Sequence, residues 1–511
     1  MTAARPVRPA LALSRWDLPT ADEPLLHACE DCACPVSHER PEAPAVLTAG
    51  AVDDGRRWVS GAQVTEMPVD CEHTLLFNPH GSGDIVVVNQ RGLGLYRRFR
   101  NPATLAEIRR GWQGDESEVA DVFRRLLHLQ VVHEAGHAPH PEFGRSQVLT
   151  AWLHVTNACN LRCPYCYLTK SADGMDEETG RSAVDAVVSS AVSHGFKSVK
   201  LKYAGGEASL DHRLVMTLHE YAGQVTANRG LDLSATLLTN GVRLAPALIE
   251  ALKVSGIGLM VSLDGVGEQH DAQRPFASGK PSFYLVERTI TELMRRDCNP
   301  HLSITITNRN ASGVADAVRF ALDRDLTFSL NLFRDNDCSA SFPDLRYQEQ
   351  EVISALLESF AVIEERMPRW SVLGTILDRG QLLVPRQRSC GVGQDYVVID
   401  QRGRVAKCHM EIEKTIGDVF SADPLELVRN DTRTALNLIV DEKEGCRECS
   451  WRYWCTGGCT IATFRATGRY DIKSPNCHIY KAIYPAALRL EGLRLLKYAA
   501  QAALNNHITG S

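Results

Sequence analysis

The distribution of cysteine constrains this chain more than any other feature. Of 16 cysteines, three sit together as Cys159, Cys163 and Cys166, and seven lie between Cys390 and Cys477. The other six are Cys29, Cys32, Cys34, Cys71, Cys298 and Cys338. The opening MTAARPVRPALALSRWDLP lacks the unbroken apolar core and small-residue cleavage site of a secretory signal, so a cytoplasmic location is expected. In a reducing compartment, blocks of cysteine serve as metal ligands or redox groups more often than as disulfides. The remaining composition, 44% apolar and 23% charged over 511 residues, is that of an ordinary globular protein with several buried cores. A net charge of -6 argues against a nucleic-acid partner, which needs a basic face. No apolar run approaches the ~18 residues of a membrane-spanning helix.

Local patterning divides the chain. Residues 1–65 are rich in Pro, Ala and acidic residues and read as a loosely ordered arm. Over 66–136, EHTLLFN and DIVVVN flank the turn formers PHGSG as a hairpin, and three helical runs follow, RGLGLYRRF, ATLAEIRRGW and SEVADVFRRLLHLQ. Residues 137–149 are a linker of turn formers. From 150 to 335, six short strands alternate with amphipathic helical stretches: TAWLHVT, SVKLKYAGGE, LSATLLTNG, GLMVSLDG, LSITITN and TFSLNLFR. Alternation of this kind predicts an α/β fold, a partial (β/α)6 barrel of TIM type with its site at the C-terminal strand ends. Residues 336–389 form a helical bridge and 481–511 a C-terminal helix and tail. Between them, 390–480 is short of apolar runs and rich in Gly and Cys, a core that needs metal to hold it.

Cys159-Asn-Leu-Arg-Cys163-Pro-Tyr-Cys166 follows the first of these strands. Three thiolates so close in sequence can each take a corner of a cubane iron–sulfur cluster and leave one iron open to substrate or cofactor. A structural zinc site would want four closed ligands. The motif, C-x3-C-x2-C with Tyr165 before its last cysteine, resembles that of the radical SAM superfamily. The resemblance continues through Gly205-Gly206-Glu207, which is similar to the family's GGE motif for the amino group of S-adenosylmethionine (SAM). Thr239-Asn240-Gly241 and Ser262-Leu263-Asp264-Gly265 resemble the next strand-end motifs. It implies that Asn240, Ser262, Asp264, Arg274 and Asn308 lie around the cofactor, with Ser262 and Asp264 facing it. Ala208 departs from the proline that usually follows GGE. The implied chemistry is hydrogen abstraction by a 5'-deoxyadenosyl radical.

The second block reads Cys390-x12-Gly403-x4-Cys408, then Cys446-x2-Cys449-x5-Cys455-x3-Cys459-x17-Cys477. A zinc ribbon accounts for Cys446 and Cys449 but not for the other five. This spacing resembles the SPASM domain of peptide-modifying radical SAM enzymes. The resemblance implies two auxiliary clusters, for a total of three [4Fe-4S] clusters. Cys446, Cys449, Cys455 and Cys477 would hold one, and Cys390, Cys408 and Cys459 the other. No cysteine lies between Cys390 and Cys408, so this cluster is open at one iron or completed from elsewhere, with Cys338 the nearest upstream candidate. His409 stands where sulfatase-maturating relatives carry an aspartate base, which weighs against formylglycine formation and leaves His409 as a candidate base or an exposed loop residue.

Residues 66–136 resemble the PqqD-like recognition element, a winged-helix-like α+β module that binds leader peptides as an added strand on a sheet edge. A DNA-binding winged helix is the alternative, but beyond Arg97, Arg98 and Arg100 no dense basic surface is present. Together the resemblances imply a peptide maturase that binds the leader of a ribosomally made precursor and closes a thioether or carbon–carbon crosslink. They also imply a flavodoxin- or ferredoxin-type electron donor. A peptide epimerase or formylglycine-type maturase is a second reading, and a non-catalytic iron–sulfur electron-transfer protein a third. Cys29-x2-Cys32-x-Cys34 and Cys71 receive no role.

Overall fold

A computed structural model describes residues 10–15 and 55–509, apart from 82, 84, 375, 376 and 379, with side chains to 498. Cys29, Cys32 and Cys34 lie outside the described residues. The N-terminal module comprises β1 (Ala12–Leu13), β2 (Trp58–Ser60), β3 (Thr65–Pro68), β4 (His73–Phe77) and β5 (Ile85–Asn89), then α1 (Gln90–Arg97), α2 (Leu105–Arg110), α3 (Glu116–His128) and β6 (Val132–Glu134). Thr104 starts α2 with a capping box closed by Glu107, and Asp115 caps α3. The hairpin and three helices expected here are present. Within the expected arm to residue 65, the described residues include two strands: Trp58–Ser60 pairs with Val132–Glu134, and Ala12–Leu13 pairs with Val88 and Val87. Burial drives this, since Trp58 is 5% exposed and meets Phe123 edge-on at 5.3 Å. So short a strand, whose partner lies far along the chain, leaves no local periodicity to read.

The central unit runs β7 (Val148–Thr156), α4 (Glu177–Ser193), β8 (Ser198–Gly205), α5 (His212–Asn228), β9 (Asp232–Thr239), α6 (Pro246–Val254), β10 (Ile257–Ser262), α7 (Glu268–Gln273), α8 (Phe283–Arg295), β11 (His301–Ile306), α9 (Val314–Leu322) and β12 (Phe328–Leu332). All six strands are parallel and adjacent in chain order, as the alternating pattern predicts. The sheet stays open, because β7 pairs outward with a strand of the cysteine-rich region and not with β12.

Strand alternation separates two faces. Leu149, Leu153, Leu201, Leu237, Val261, Ile304 and Leu330 enter the apolar core. The alternate positions include the buried polar residues Thr150, His154, Lys200, Lys202, Thr236, Ser329 and Asn331. One face binds the helices through the hydrophobic effect, and the other carries these buried polar side chains.

The rest of the chain is α10 (Glu349–Glu365), β13 (Tyr396–Ile399), β14 (Arg404–Ala406), β15 (Gly417–Asp418), α11 (Pro424–Asn430), α12 (Arg452–Cys455), α13 (Thr460–Thr467) and α14 (Cys477–Thr509). Within 390–480, β13 extends the central sheet in parallel with β7, Val398 opposite Trp152. One expected boundary moves here. The final helix starts at Cys477, inside the cysteine block, and not at 481. Leu75, Phe77, Ile85 and Val87 of the N-terminal sheet share a core with Trp454, Tyr484 and Leu488. Phe77 stacks on Trp451 at 5.7 Å, and Trp454 Nε1 donates to the carbonyl of Pro79 at 3.1 Å. One face of the module is therefore clamped to the cysteine-rich region.

Candidate active site

The loop after β7 is held from two sides. Gly206 N–H donates to the Thr156 carbonyl at 2.6 Å and Glu207 N–H to that of Ala158 at 2.8 Å. A Cβ on Gly206 would lie 2.4 Å from Ala158 O, so the second glycine of GGE is required by contact with the cysteine loop. Opposite, Arg162 N–H donates to Pro275 O at 2.8 Å, and Leu161 bridges to Phe276.

Within the loop, Leu161 N–H points to Cys159 Sγ at 3.4 Å, and Lys170 Nζ donates to Cys166 Sγ at 3.1 Å. Asn240 Nδ2 lies 3.9 Å from Cys159 Sγ and donates to Asn160 Oδ1 at 2.7 Å. Burial pushes the Cys163 thiol up to about 12 and raises Cys159, with the neighbouring Cys166 adding to both shifts. Thiols with such pKa values need a cationic centre to ionise, which metal coordination supplies. Among the described residues, no three His, Cys, Asp or Glu side chains close on the position of a single metal ion. The fit to a [4Fe-4S] cluster therefore rests on the donors: three thiols of one loop, with N–H groups directed at two of the sulfurs.

Glu207, 3% exposed, accepts from Ser209 N–H at 3.1 Å, the Thr239 hydroxyl at 2.8 Å and Asn240 N–H at 2.6 Å. Those donors take three of roughly four acceptor sites on the carboxylate. Asp264 is fully buried and forms a hub. Its Oδ2 accepts from the Tyr165 hydroxyl at 2.5 Å and from Arg274 at 3.3 Å, and its Oδ1 from Thr305 N–H at 2.9 Å. Arg274 also donates to the Tyr165 hydroxyl, and Asn310 Nδ2 donates to the Asp264 carbonyl at 2.5 Å. Asp264 thus ties the cysteine loop to β10, β11 and Arg274. Ser262 is half-buried at the end of β10. Asn308 is exposed and stands outside the hub, which the buried Asn310 joins instead.

His270 supports the hub from below. Its Nδ1 accepts from Asp264 N–H at 3.4 Å while Nε2 lies 3.2 Å from Ser282 Oγ. Ser282 gives its own proton to the Arg274 carbonyl, so imidazole Nε2 carries hydrogen and the ring is neutral. Burial, reinforced by Arg274, lowers its pKa to about 3.

The C-terminal cysteines fall into two groups. Cys390, Cys408 and Cys459 are buried in one apolar cluster with Trp152, Leu168 and Tyr396, against which Cys166 and Tyr167 pack. Cys446, Cys449, Cys455 and Cys477 interact electrostatically with one another, and burial lifts Cys446 to about 11 and Cys455 to about 12. Lys443, 1% exposed, donates to Thr456 O at 3.0 Å within electrostatic reach of both groups. Arg334 pairs with Asp378 and interacts with Cys459. Neither cation carries a local sequence signal. Cys338 is exposed, with its Sγ 3.5 Å from Tyr167 O beside the first cysteine loop.

His409 is not an exposed loop residue. It is 6% exposed, stacks on Trp152 at 4.6 Å, meets Tyr167 edge-on at 5.7 Å and bonds Tyr396 through Nδ1 at 3.1 Å.

Residues 153–321 match the family model described as the Radical SAM superfamily. This stretch is a radical SAM domain, which implies a [4Fe-4S] cluster and SAM. The chain is 23% identical over 326 residues to the cysteine-type anaerobic sulfatase-maturating enzyme of Clostridium novyi, covering 59% of this chain and 84% of that relative. To the PqqA peptide cyclase of Methylobacterium sp. it is 22% identical over 369 residues, covering 68% and 90%. The solved structure of native anSMEcpe with bound AdoMet and Cp18Cys peptide superposes with a TM-score of 0.56 at 19% identity, over 68% of this chain and 99% of that one, a likeness of fold. No helix among the described residues is long and apolar enough to cross a membrane.

Proposed function

We propose that the protein is a radical SAM peptide maturase of SPASM type. It would bind the leader of a ribosomally made precursor and close an intramolecular thioether or carbon–carbon crosslink in the core peptide. The observation that carries this reading is the packing of Cys390, Cys408 and Cys459 into the cluster that also receives Cys166 and Tyr167. A second set of thiols beside the first suits an oxidation in which the peptide loses both a hydrogen atom and a further electron.

Cys159, Cys163 and Cys166 would hold the SAM-binding cluster. Cys390, Cys408 and Cys459 would hold one auxiliary cluster, and Cys446, Cys449, Cys455 and Cys477 the other. When bound, these groups supply hydrogen-atom abstraction and one-electron oxidation. The residues of the chain do the rest. Gly205 and Gly206 let the cysteine loop approach β8, and Glu207 and Asn240 offer polar groups at the strand ends. The hub of Tyr165, Asp264 and Arg274 fixes the loop so that the reacting carbon can be held and water excluded. His409, buried and bonded to Tyr396, is the base we assign to the proton that leaves as the new bond closes.

The test is anaerobic reconstitution with SAM, a reductant and the short precursor encoded nearest the gene, read by intact peptide mass. Loss of two hydrogens per site is expected, with fragmentation to locate the bond. Deoxyadenosine release with an unchanged peptide mass would instead indicate epimerisation, and no SAM cleavage under strong reductant would leave a non-catalytic protein.

A further inference from the structure

Strand β1 is two residues long, yet it occupies a built position. Ala12 lies opposite Val88 and Leu13 opposite Val87, on the side of β5 away from β4. Leu11 N–H donates to Asn89 Oδ1 at 3.1 Å, and Ala10 N–H reaches Glu118 Oε2 of α3 at 3.5 Å. Ala12 is buried in the core of the module's helices, and Leu13 packs against the other core, which includes α14. Successive side chains thus enter two separate apolar cores. At Gly92, in the first turn of α1, a Cβ would meet Leu11 O at 2.5 Å, so the helix is cut away where a foreign backbone passes.

This is the chemistry of strand addition: main-chain hydrogen bonds for affinity, alternate side-chain pockets for selectivity. Among the described residues the pairing is short: β4 pairs with all five residues of β5, from Ile85 to Asn89, whereas β1 pairs with two. A ladder so short is one that a longer extended peptide can replace.

We infer that the edge of β5 is a peptide-binding slot and that residues 10–15 of the chain fill it as an intramolecular plug, which the precursor's leader displaces. This rests on the leader-binding reading of residues 66–136. The slot selects an extended segment with a small residue at the position of Ala12 and a branched aliphatic residue at that of Leu13, its backbone N–H groups held by Asn89 and Glu118. Tethering gives the plug a high effective concentration, so it sets a threshold that a leader must exceed.

The experiment uses a fluorescein-labelled peptide of residues 8–16 of this chain as probe, titrated by anisotropy against the full chain and against a variant lacking residues 1–15. Binding at least tenfold tighter to the truncated protein is expected. Equal binding to both, or none to a truncated protein that melts cooperatively, overturns the slot. Hydrogen exchange on the full chain checks the plug without truncation. Residues 10–15 should exchange at least tenfold faster than Thr74–Phe77, and equally slow exchange makes β1 a permanent strand and overturns the inference. In a last arm, the precursor should compete the probe off. A bound probe that the precursor cannot displace removes the leader as the partner while leaving the slot intact.

Discussion

The two cysteine-bearing regions are built on opposite principles. Cys159, Cys163 and Cys166 sit on a loop anchored to a six-stranded parallel sheet, and the surrounding polar groups bond one another: Tyr165 to Asp264, Arg274 to both, Glu207 to Thr239 and Asn240. The sheet has its own apolar core, which contains none of the three cysteines as a fully buried member. In the second region Cys390, Cys408 and Cys459 are themselves core residues. Cys446 belongs to a small buried set with Val440 and Tyr453. On the proposed function, the first region would position a reactive group on a scaffold that stands without it, and the second would be a scaffold whose packing depends on what its thiols bind.

The largest effect expected from this contrast follows from replacing Cys159, Cys163 and Cys166 together by Ala. Deoxyadenosine formation should vanish while the melting profile stays cooperative, and retained SAM cleavage would sink the assignment. Iron chelation should separate the regions next. Proteolysis followed by mass spectrometry should find cuts within 390–480 first, with 150–335 still protected, and uniform digestion would erase the distinction.

Asp264→Asn removes one charge from the hub but keeps its shape. SAM cleavage should fall about tenfold to a hundredfold, with stability reduced by roughly 3 kcal/mol or more because Arg274 is left buried beside a neutral partner. Gly206→Ala drives a methyl against Ala158 O and should cost about 1–3 kcal/mol, measured by thermal melting, together with altered cluster absorbance.

The most gradual effect is one of pH. His270 is neutral in the fold, with its pKa lowered to about 3 by burial and Arg274, whereas the unfolded ring titrates at about 6.5. Between these values the unfolded chain binds the extra proton, so stability is full above about pH 6.5 and falls as pH drops towards 3, by roughly 1.4 kcal/mol per unit. A His270→Gln variant should show a flatter slope of melting temperature against pH over that window.

Much of this was legible because it is local. Loop spacing places three thiols on one turn of chain, and alternating strands and helices announce the parallel sheet in order. The strand-end glycines are explained by contacts close to the motifs themselves. What escaped reading depends on distant partners. Asn308 and Asn310 differ by two positions, and nothing in the sequence says that the second is the one directed at the Asp264 carbonyl. His409 reads as a loop histidine until β13 and β7 bring Tyr396 and Trp152 against it.

The sequence by itself therefore determined the chemistry available: the thiol sets, the GGE turn and the periodicities that make sheet and helix. Tertiary structure alone decided which groups meet. Arg274 reaches Tyr165, Lys443 stands within reach of both C-terminal cysteine groups, and Ala12–Leu13 lies on β5. The reason is physical. Spacing along a chain constrains neighbours through covalent geometry, whereas contacts across it are chosen by burial of apolar surface and by partnering of the polar groups buried with it.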